Sequence, residues 1–306
     1  MKKFAKGCLA AALSMLGIGT IILVICVCVS GTTLYSYAKN TLPLSDMING
    51  HITILHNDST PINFSGSHPT YSGQYEDMQA AFASDIQNLD LDIAGGNCMI
   101  SESSDEYFHI YAESTDEFQY YTEHETLYIK GFEDITFHTL SDADNYIRLE
   151  VPKDFRFDNI ELELGAGMIK ADSLLASNHI NMEIGAGELT AKSLSADTLS
   201  VDIGAGNVEL ENASIKNSDL EIGLGNMTCS GLITGNLTAE CGMGNLSLYL
   251  NDDYENHNYK VDLAMGSMTL NQKDFHGFIY TDYIQHGVSS TYTLECGMGN
   301  MSILFK

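Results

Sequence analysis

The chain has 306 residues, with 41 Asp and Glu against 14 Lys and Arg for a net charge of −27, seven Cys and no Trp. That acid excess disfavours nucleic acid and anionic lipid headgroups as partners and suits cations, basic proteins or a cationic polymer, while also serving plain solubility. With Arg only at Arg148 and Arg156 and no Trp to stack on sugar rings, the composition counts against a polysaccharide-acting enzyme.

Lys2, Lys3 and Lys6 precede an uncharged stretch whose most apolar part runs from Leu9 to Val29. At about 1.5 Å per residue it is long enough to span a bilayer core as a helix. Residues 1–38 therefore read as a cytoplasmic stub and a single N-terminal transmembrane anchor that meets the membrane through residues 7–30. Basic residues on its N-terminal side place that end in the cytoplasm and the rest outside. A cleaved secretory signal is the competing account, since Ser36-Tyr37-Ala38 resembles a small-x-small site; the length of the apolar run favours the uncleaved anchor. Both accounts export the same domain. Residues 39–84, mixed in Pro, Gly, Ser, His and Asn, read as an extracellular stalk with a short helix near Tyr75 to Ala83.

Residues 85–306 carry a repeat. Numbered from its first small residue, the signature L-x-L-E-I-G-x-G recurs at Gly165, Gly185, Gly204, Gly223 and Gly242, in steps of 20, 19, 19 and 19, with looser copies at Ala264 and Gly297 and an outlier at Ala94. A unit this short buries an apolar face only by stacking on copies of itself. Alternation on both sides of each G-x-G, as in Leu162, Leu164, Ile169 and Ala171, predicts two short inward-facing strands per coil. The expected fold is all-β, a single-stranded parallel β-solenoid of ~19-residue coils, with divergent opening strands over 85–157 and regular coils with loop insertions over 158–306. A second bend is expected after Leu174, Leu194 and Leu232.

The paired glycines (Gly165 and Gly167, Gly185 and Gly187, Gly204 and Gly206, Gly223 and Gly225, Gly242 and Gly244, Gly297 and Gly299) are expected to turn the backbone with positive φ. Their middle residues, Ala166, Ala186 and Ala205, then Leu224, Met243 and Met298, are expected to point inward, with a lumen that widens toward the C-terminus. A nucleotide-binding loop is excluded, because each G-x-G leads into another alternating strand and not a helix.

Stacking turns letters into columns. An acidic residue stands two places before the first Gly in every copy, including Glu163, Glu183, Asp202, Glu221, Glu240 and Asp262. Like charges ~4.8 Å apart repel by roughly 0.9 kcal/mol in water, so the column is either a solvated face or a site for a divalent cation such as calcium. Immediately after G-x-G stand Asn207, Asn226, Asn245 and Asn300, with Asn97 in the outlier, and these predict an Asn ladder. Cys98, Cys229, Cys241 and Cys296 occupy inward places as apolar filler, with a Cys229–Cys241 bridge between adjacent coils as an alternative. Insertions at 248–261 and 270–291 present Tyr249, Tyr254, Tyr280 and Tyr283 as candidate partner-binding residues, whereas Tyr259 and Tyr292 fall on the core side.

The order of these features, with an opening L-D-L-D-I-A-G-G-N, a V-P at Val151-Pro152, coils with G-x-G and a closing G-M-G-N-M-S-I, resembles the bacterial putative-adhesin beta-strand-repeat family, a domain of unknown function found in envelope proteins. The resemblance covers about residues 85–306. It departs from the family where Asn, Met, Glu or Ser replaces the usual Asp after G-x-G. It implies a cell-surface β-solenoid and brings no catalytic residue and no cofactor. The reading that follows is a non-catalytic adhesion, interaction or scaffolding module of the cell envelope, with an envelope signal relay through a membrane partner as the alternative. A cytoplasmic stub from Met1 to Lys6 is short for a relay, and a β-helix enzyme acting on polysaccharide ranks last.

Overall fold

The computed structural model describes residues 68–132, 145–276 and 279–306. The expected anchor, and the stalk up to residue 67, lie outside them. Among the described residues no helix is long and apolar enough to cross a membrane.

The regular part consists of β7 (Phe157–Leu164), β8 (Met168–Ala171), β9 (Leu174–Ile184), β10 (Glu188–Ala191), β11 (Leu194–Ile203), β12 (Asn207–Ile222), β13 (Asn226–Ile233), β14 (Leu237–Cys241) and β15 (Asn245–Leu250). They follow β1 (Tyr71–Phe82), β2 (Asn88–Ile93), β3 (Asn97–Ser103), β4 (Tyr107–Glu123), β5 (Thr126–Gly131) and β6 (Asn145–Pro152). They precede β16 (Asn258–Leu263), β17 (Ser267–Leu270), β18 (Lys273–His276), β19 (Tyr280–Ile284), β20 (Thr291–Cys296) and β21 (Asn300–Phe305).

From β7 to β15 each coil pairs in parallel with the next, in the register the repeat predicts. Leu162, Met182, Val201, Leu220 and Ala239 form one ladder. Ile169, Leu189, Val208, Met227 and Leu246 form another. All ten are buried, and a large aliphatic among them contributes about 1.5–3 kcal/mol relative to exposure. A third ladder was not expected: the first residues of β9 and β11 pair with each other and with the middle of β12, Leu174 to Leu194 to Ala213, and Ala213 pairs with Gly231 of β13. The bends therefore fall before Leu174 and Leu194, at residues 172–173 and 192–193. The polar residues that suggested a bend after them, such as Ser177 and Asn178, are exposed positions of an extended strand.

Stacking follows chain order in the middle and departs from it at both ends. The coil β2–β3 lies between β5–β6 and β7–β8. The coil β20–β21 likewise lies between β14–β15 and β16–β17, so the rung of Gly297 precedes the rung of Ala264 in space. Each terminal coil is then closed by antiparallel strands: β4 covers β5 and β6, while β19 covers β16 and β18 covers β17. Among the described residues, these closures cover the outer parallel edges of both terminal coils. The segment near Tyr75 to Ala83, expected to be helical, is mostly β1, paired antiparallel with β4 and followed by a 3-10 turn at Ala83–Asp85. Its Glu, Met, Gln and Ala favour a helix locally, but the edge of β4 offers a ladder that overrides that preference.

The G-x-G corner also differs from expectation. The middle residues face outward: Ala186 and Ala205 are exposed, Ala166, Leu224 and Met243 half-buried, and Met298 is 52% exposed. The lumen at the corner is already filled, because the side chain just before each G-x-G reaches under the second glycine of the next rung. A Cβ on Gly206 would lie 2.7 Å from Ile184 Cγ2, and one on Gly225 would lie 2.5 Å from Ile203 Cγ2, both also striking the carbonyl of the glycine below. Close approach is what demands glycine here. Among these paired glycines only Gly167 has positive φ, at 104°.

Two outcomes test this arrangement. Gly206→Ala is expected to lower stability in urea unfolding by about 1–3 kcal/mol through overpacking, whereas Ala205→Leu at the adjacent outward place changes it by less than ~0.5 kcal/mol. The second concerns order: Cys241 pairs directly with Cys296, while Cys229 pairs with Leu210 and Leu248, so the four cysteines are buried and free and the alternative Cys229–Cys241 bridge is absent. Refolding with diamide as oxidant should link Cys241 to Cys296 by peptide mapping; a Cys229–Cys241 product would refute the inserted coil.

Candidate interaction surface

Because the coils are in register, each outward position of the corner becomes a column. Two residues before the first small residue runs the series Lys130, Asp92, Glu163, Glu183, Asp202, Glu221, Glu240, Glu295, Asp262 and Thr281. Eight carboxylates thus sit between Lys130 at one end and, at the other, Lys260, which lies 3.0 Å from Asp262 and 3.6 Å from Glu295.

Burial pushes the Glu163 carboxyl above the usual range, helped by Asp92 and Glu183 and opposed by Lys130. Glu221 and Glu240 are raised by burial and then by neighbouring carboxylates, Asp202 for the first and Glu295 for the second. Asp262 is held low by its hydrogen bonds with Thr281 and Lys260. The six carboxylates proposed for a cation are spaced one or more rungs apart, and among the described residues no group of three or more His, Cys, Asp or Glu is gathered so as to hold a metal ion.

Across the corner runs the amide ladder. Asn226 Nδ2 donates to Asn207 Oδ1 at 2.7 Å, Asn245 to Asn226 at 2.6 Å and Asn300 to Asn245 at 2.8 Å, and Ser267 Oγ completes it on Asn300 Oδ1 at 2.6 Å. Asn97 lies apart, beside Met168 and Tyr146.

The four candidate tyrosines divide into two kinds. Tyr249 and Tyr283 are exposed, at 37% and 53%. Tyr254 stacks on buried Tyr259 at 4.7 Å, and Tyr280 packs on Phe275 at 5.6 Å and donates to Asp282 at 3.0 Å, so both serve the terminal coil. Tyr259 and Tyr292 are fully buried, as their place in the repeat required.

One constellation had no signal in the sequence. His257 Nε2 is 3.0 Å from Asp252 Oδ2, and its Nδ1 is 2.6 Å from Ser290 Oγ, the Ser–His–Asp order of a serine hydrolase with the roles of the two ring nitrogens exchanged. Ser290, however, donates its proton to the Gly235 carbonyl at 2.5 Å. The ring is buried against Tyr292 at 4.1 Å, which leaves a substrate no approach. Burial pushes the His257 pKa down, with Asp252 opposing. Tyr292 also donates to the Ile233 carbonyl at 2.7 Å, so this network fastens the inserted and terminal coils to the bend after β13.

A family model described as Toastrack DUF4097 matches residues 83–281. No curated protein matches the chain. Among solved structures, it is similar to a putative adhesin from Bacteroides fragilis at 13% identity and TM-score 0.42, over 78% of this chain and 98% of that one. It is also similar to a putative cell adhesion protein from Clostridium sporogenes (15%, TM-score 0.30, 78% and 100% covered) and to a putative lipid binding protein from Parabacteroides distasonis (14%, TM-score 0.33, 78% and 97% covered).

A carboxyl whose folded pKa is raised contributes its full stability only below its unfolded value, and that contribution is lost as pH rises through the folded one. Glu163→Gln and Glu240→Gln should therefore each raise the melting temperature at pH 7 by about 1–3 °C, the effect of removing a like-charged cross-strand neighbour in a domain of this size. The gain should vanish near pH 4, where the wild-type carboxyls are protonated. Scanning calorimetry across that range is the check.

Proposed function

The chain belongs to the Toastrack DUF4097 family, and from that premise we propose that it is a non-catalytic interaction module of the cell envelope. Residues 1–38 hold it to the membrane, and its β-domain, from β1 at Tyr71 onward, faces outward as an adhesion or scaffolding surface. The observation that carries this reading is the set of outward columns. In-register coils present carboxylates, apolar side chains and amides as continuous lines on a frame whose interior is closely packed, and a surface of that kind suits extended contact with a polymer or protein. The Ser290–His257–Asp252 constellation is buried and spent on structure. The apolar run at Leu9 to Val29 and the lysines before it support the anchor.

Full-length protein probed against peptide, protein and glycan arrays should give saturable binding that weakens with salt, and mass spectrometry should find the bound compound chemically unchanged. Turnover of a bound compound, or blank arrays, would refute the module. For the anchor, the protein in intact cells should resist carbonate extraction while external protease digests the β-domain; release by carbonate or full protection would overturn it.

A further inference from the structure

At the outward corner between the two polar columns, the four rungs from β2–β3 onward in space carry Gly95, Ala166, Ala186 and Ala205, which shows that stacking needs no more than a methyl there. The next four carry Leu224, Met243, Met298 and Met265, joined rung to rung by Met243 N–H to Gly223 O at 2.8 Å, Met298 N–H to Gly242 O at 2.7 Å and Met265 N–H to Gly297 O at 2.7 Å. Met298 is 52% and Met265 53% exposed, and Ile279, whose N–H bonds the Ala264 carbonyl at 2.9 Å, extends the line at 80% exposure. A line of apolar side chains, half-buried at Leu224 and Met243 and exposed from Met298 through Met265 to Ile279, is a candidate docking surface on so acidic a chain. One flank of the line is Glu221, Glu240, Glu295 and Asp262; the other is Asn226, Asn245, Asn300 and Ser267.

We propose that this methionine ridge docks a cationic amphipathic polypeptide segment, its apolar stripe on the ridge and its Lys or Arg side chains over the carboxylate flank. This rests on the reading of the chain as an interaction module and names that module's partner. Methionine is flexible and polarizable, and so accommodates apolar stripes of varied sequence. Charge selects among occupants: the carboxylate flank repels an anionic bilayer, and a net charge of −27 opposes a second copy of the chain. Length sets the size of the segment. Four intervals of about 4.8 Å make a ridge of roughly 19 Å, the span of a helix of about 13 residues.

The test uses full-length protein in nanodiscs and a 14-residue Leu/Lys peptide with one apolar stripe, alongside a scrambled peptide of the same composition and a Leu/Glu counterpart. The striped cationic peptide should bind, and the other two should bind at least about tenfold more weakly. Joint Met243→Ser, Met265→Ser and Met298→Ser should weaken binding by about tenfold or more, and joint Glu221→Gln and Glu240→Gln should weaken it several-fold and flatten its salt dependence. Should the triple variant fold poorly by circular dichroism, Met298→Lys at its exposed place serves instead and should weaken binding as well. Equal affinity for striped and scrambled peptides, or unchanged affinity in the ridge variants, overturns the proposal while array binding keeps the broader module reading intact. Ridge-dependent binding to anionic vesicles, or ridge-dependent dimers in sedimentation, would also overturn it by assigning the surface to a lipid or a second copy. Loss of all binding, arrays included, would defeat the module reading itself.

Discussion

The approach of consecutive backbones at the G-x-G corner governs the rest of the molecule. From Gly165 to Met243 the first two corner amides of each rung bond the rung below at 2.7–2.9 Å, as in Gly204 N–H to Ile184 O at 2.9 Å and Ala205 N–H to Gly185 O at 2.7 Å. The side chain before each corner, such as Ile184 or Ile203, then fills the space where a Cβ of the next rung would sit. Backbone contact and core packing thereby select one register together, since a slip of one residue would bring a Cβ into that space and turn every inward side chain outward. Once the register is set, every column on the surface follows.

The repeat made the middle of the molecule legible. Alternation around each G-x-G identified the two main ladders, the buried Tyr259 and Tyr292, and the Asn ladder, because these depend on position within one coil. What depends on relations between distant coils was not legible. Nothing local distinguishes the rung of Gly297 from that of Ala264, so their exchange in space, and the Cys241–Cys296 contact it creates, appear only in the pairing. The third ladder was hidden because alternate polar residues in an extended strand resemble a bend.

The outward column at the corner was misread for a related reason. Alternation counted through G-x-G places its middle residue inside, but the corner spends two successive positions on the outer surface, since the second glycine takes the inward place with no side chain of its own. The drift from Ala to Met therefore describes the exterior. The carboxylate and amide columns were legible as columns, yet their electrostatics were not: the raised carboxyls of Glu163, Glu221 and Glu240 depend on partial burial that an exposed period-two position does not announce.

Placing β20–β21 beneath a coil that precedes it in the chain has a consequence for biogenesis. Strands β16 to β19 emerge first, yet their seat on β14 and β15 is reserved for strands not yet made, so they must wait unseated or dock and be displaced. The far end is thus the last to close, and a chain arrested after Ile284 retains an open parallel edge on β14 and β15. Closure of the stack thereby reports that synthesis has passed that point, and it leaves incomplete products with an exposed strand edge that chaperones and proteases can recognise.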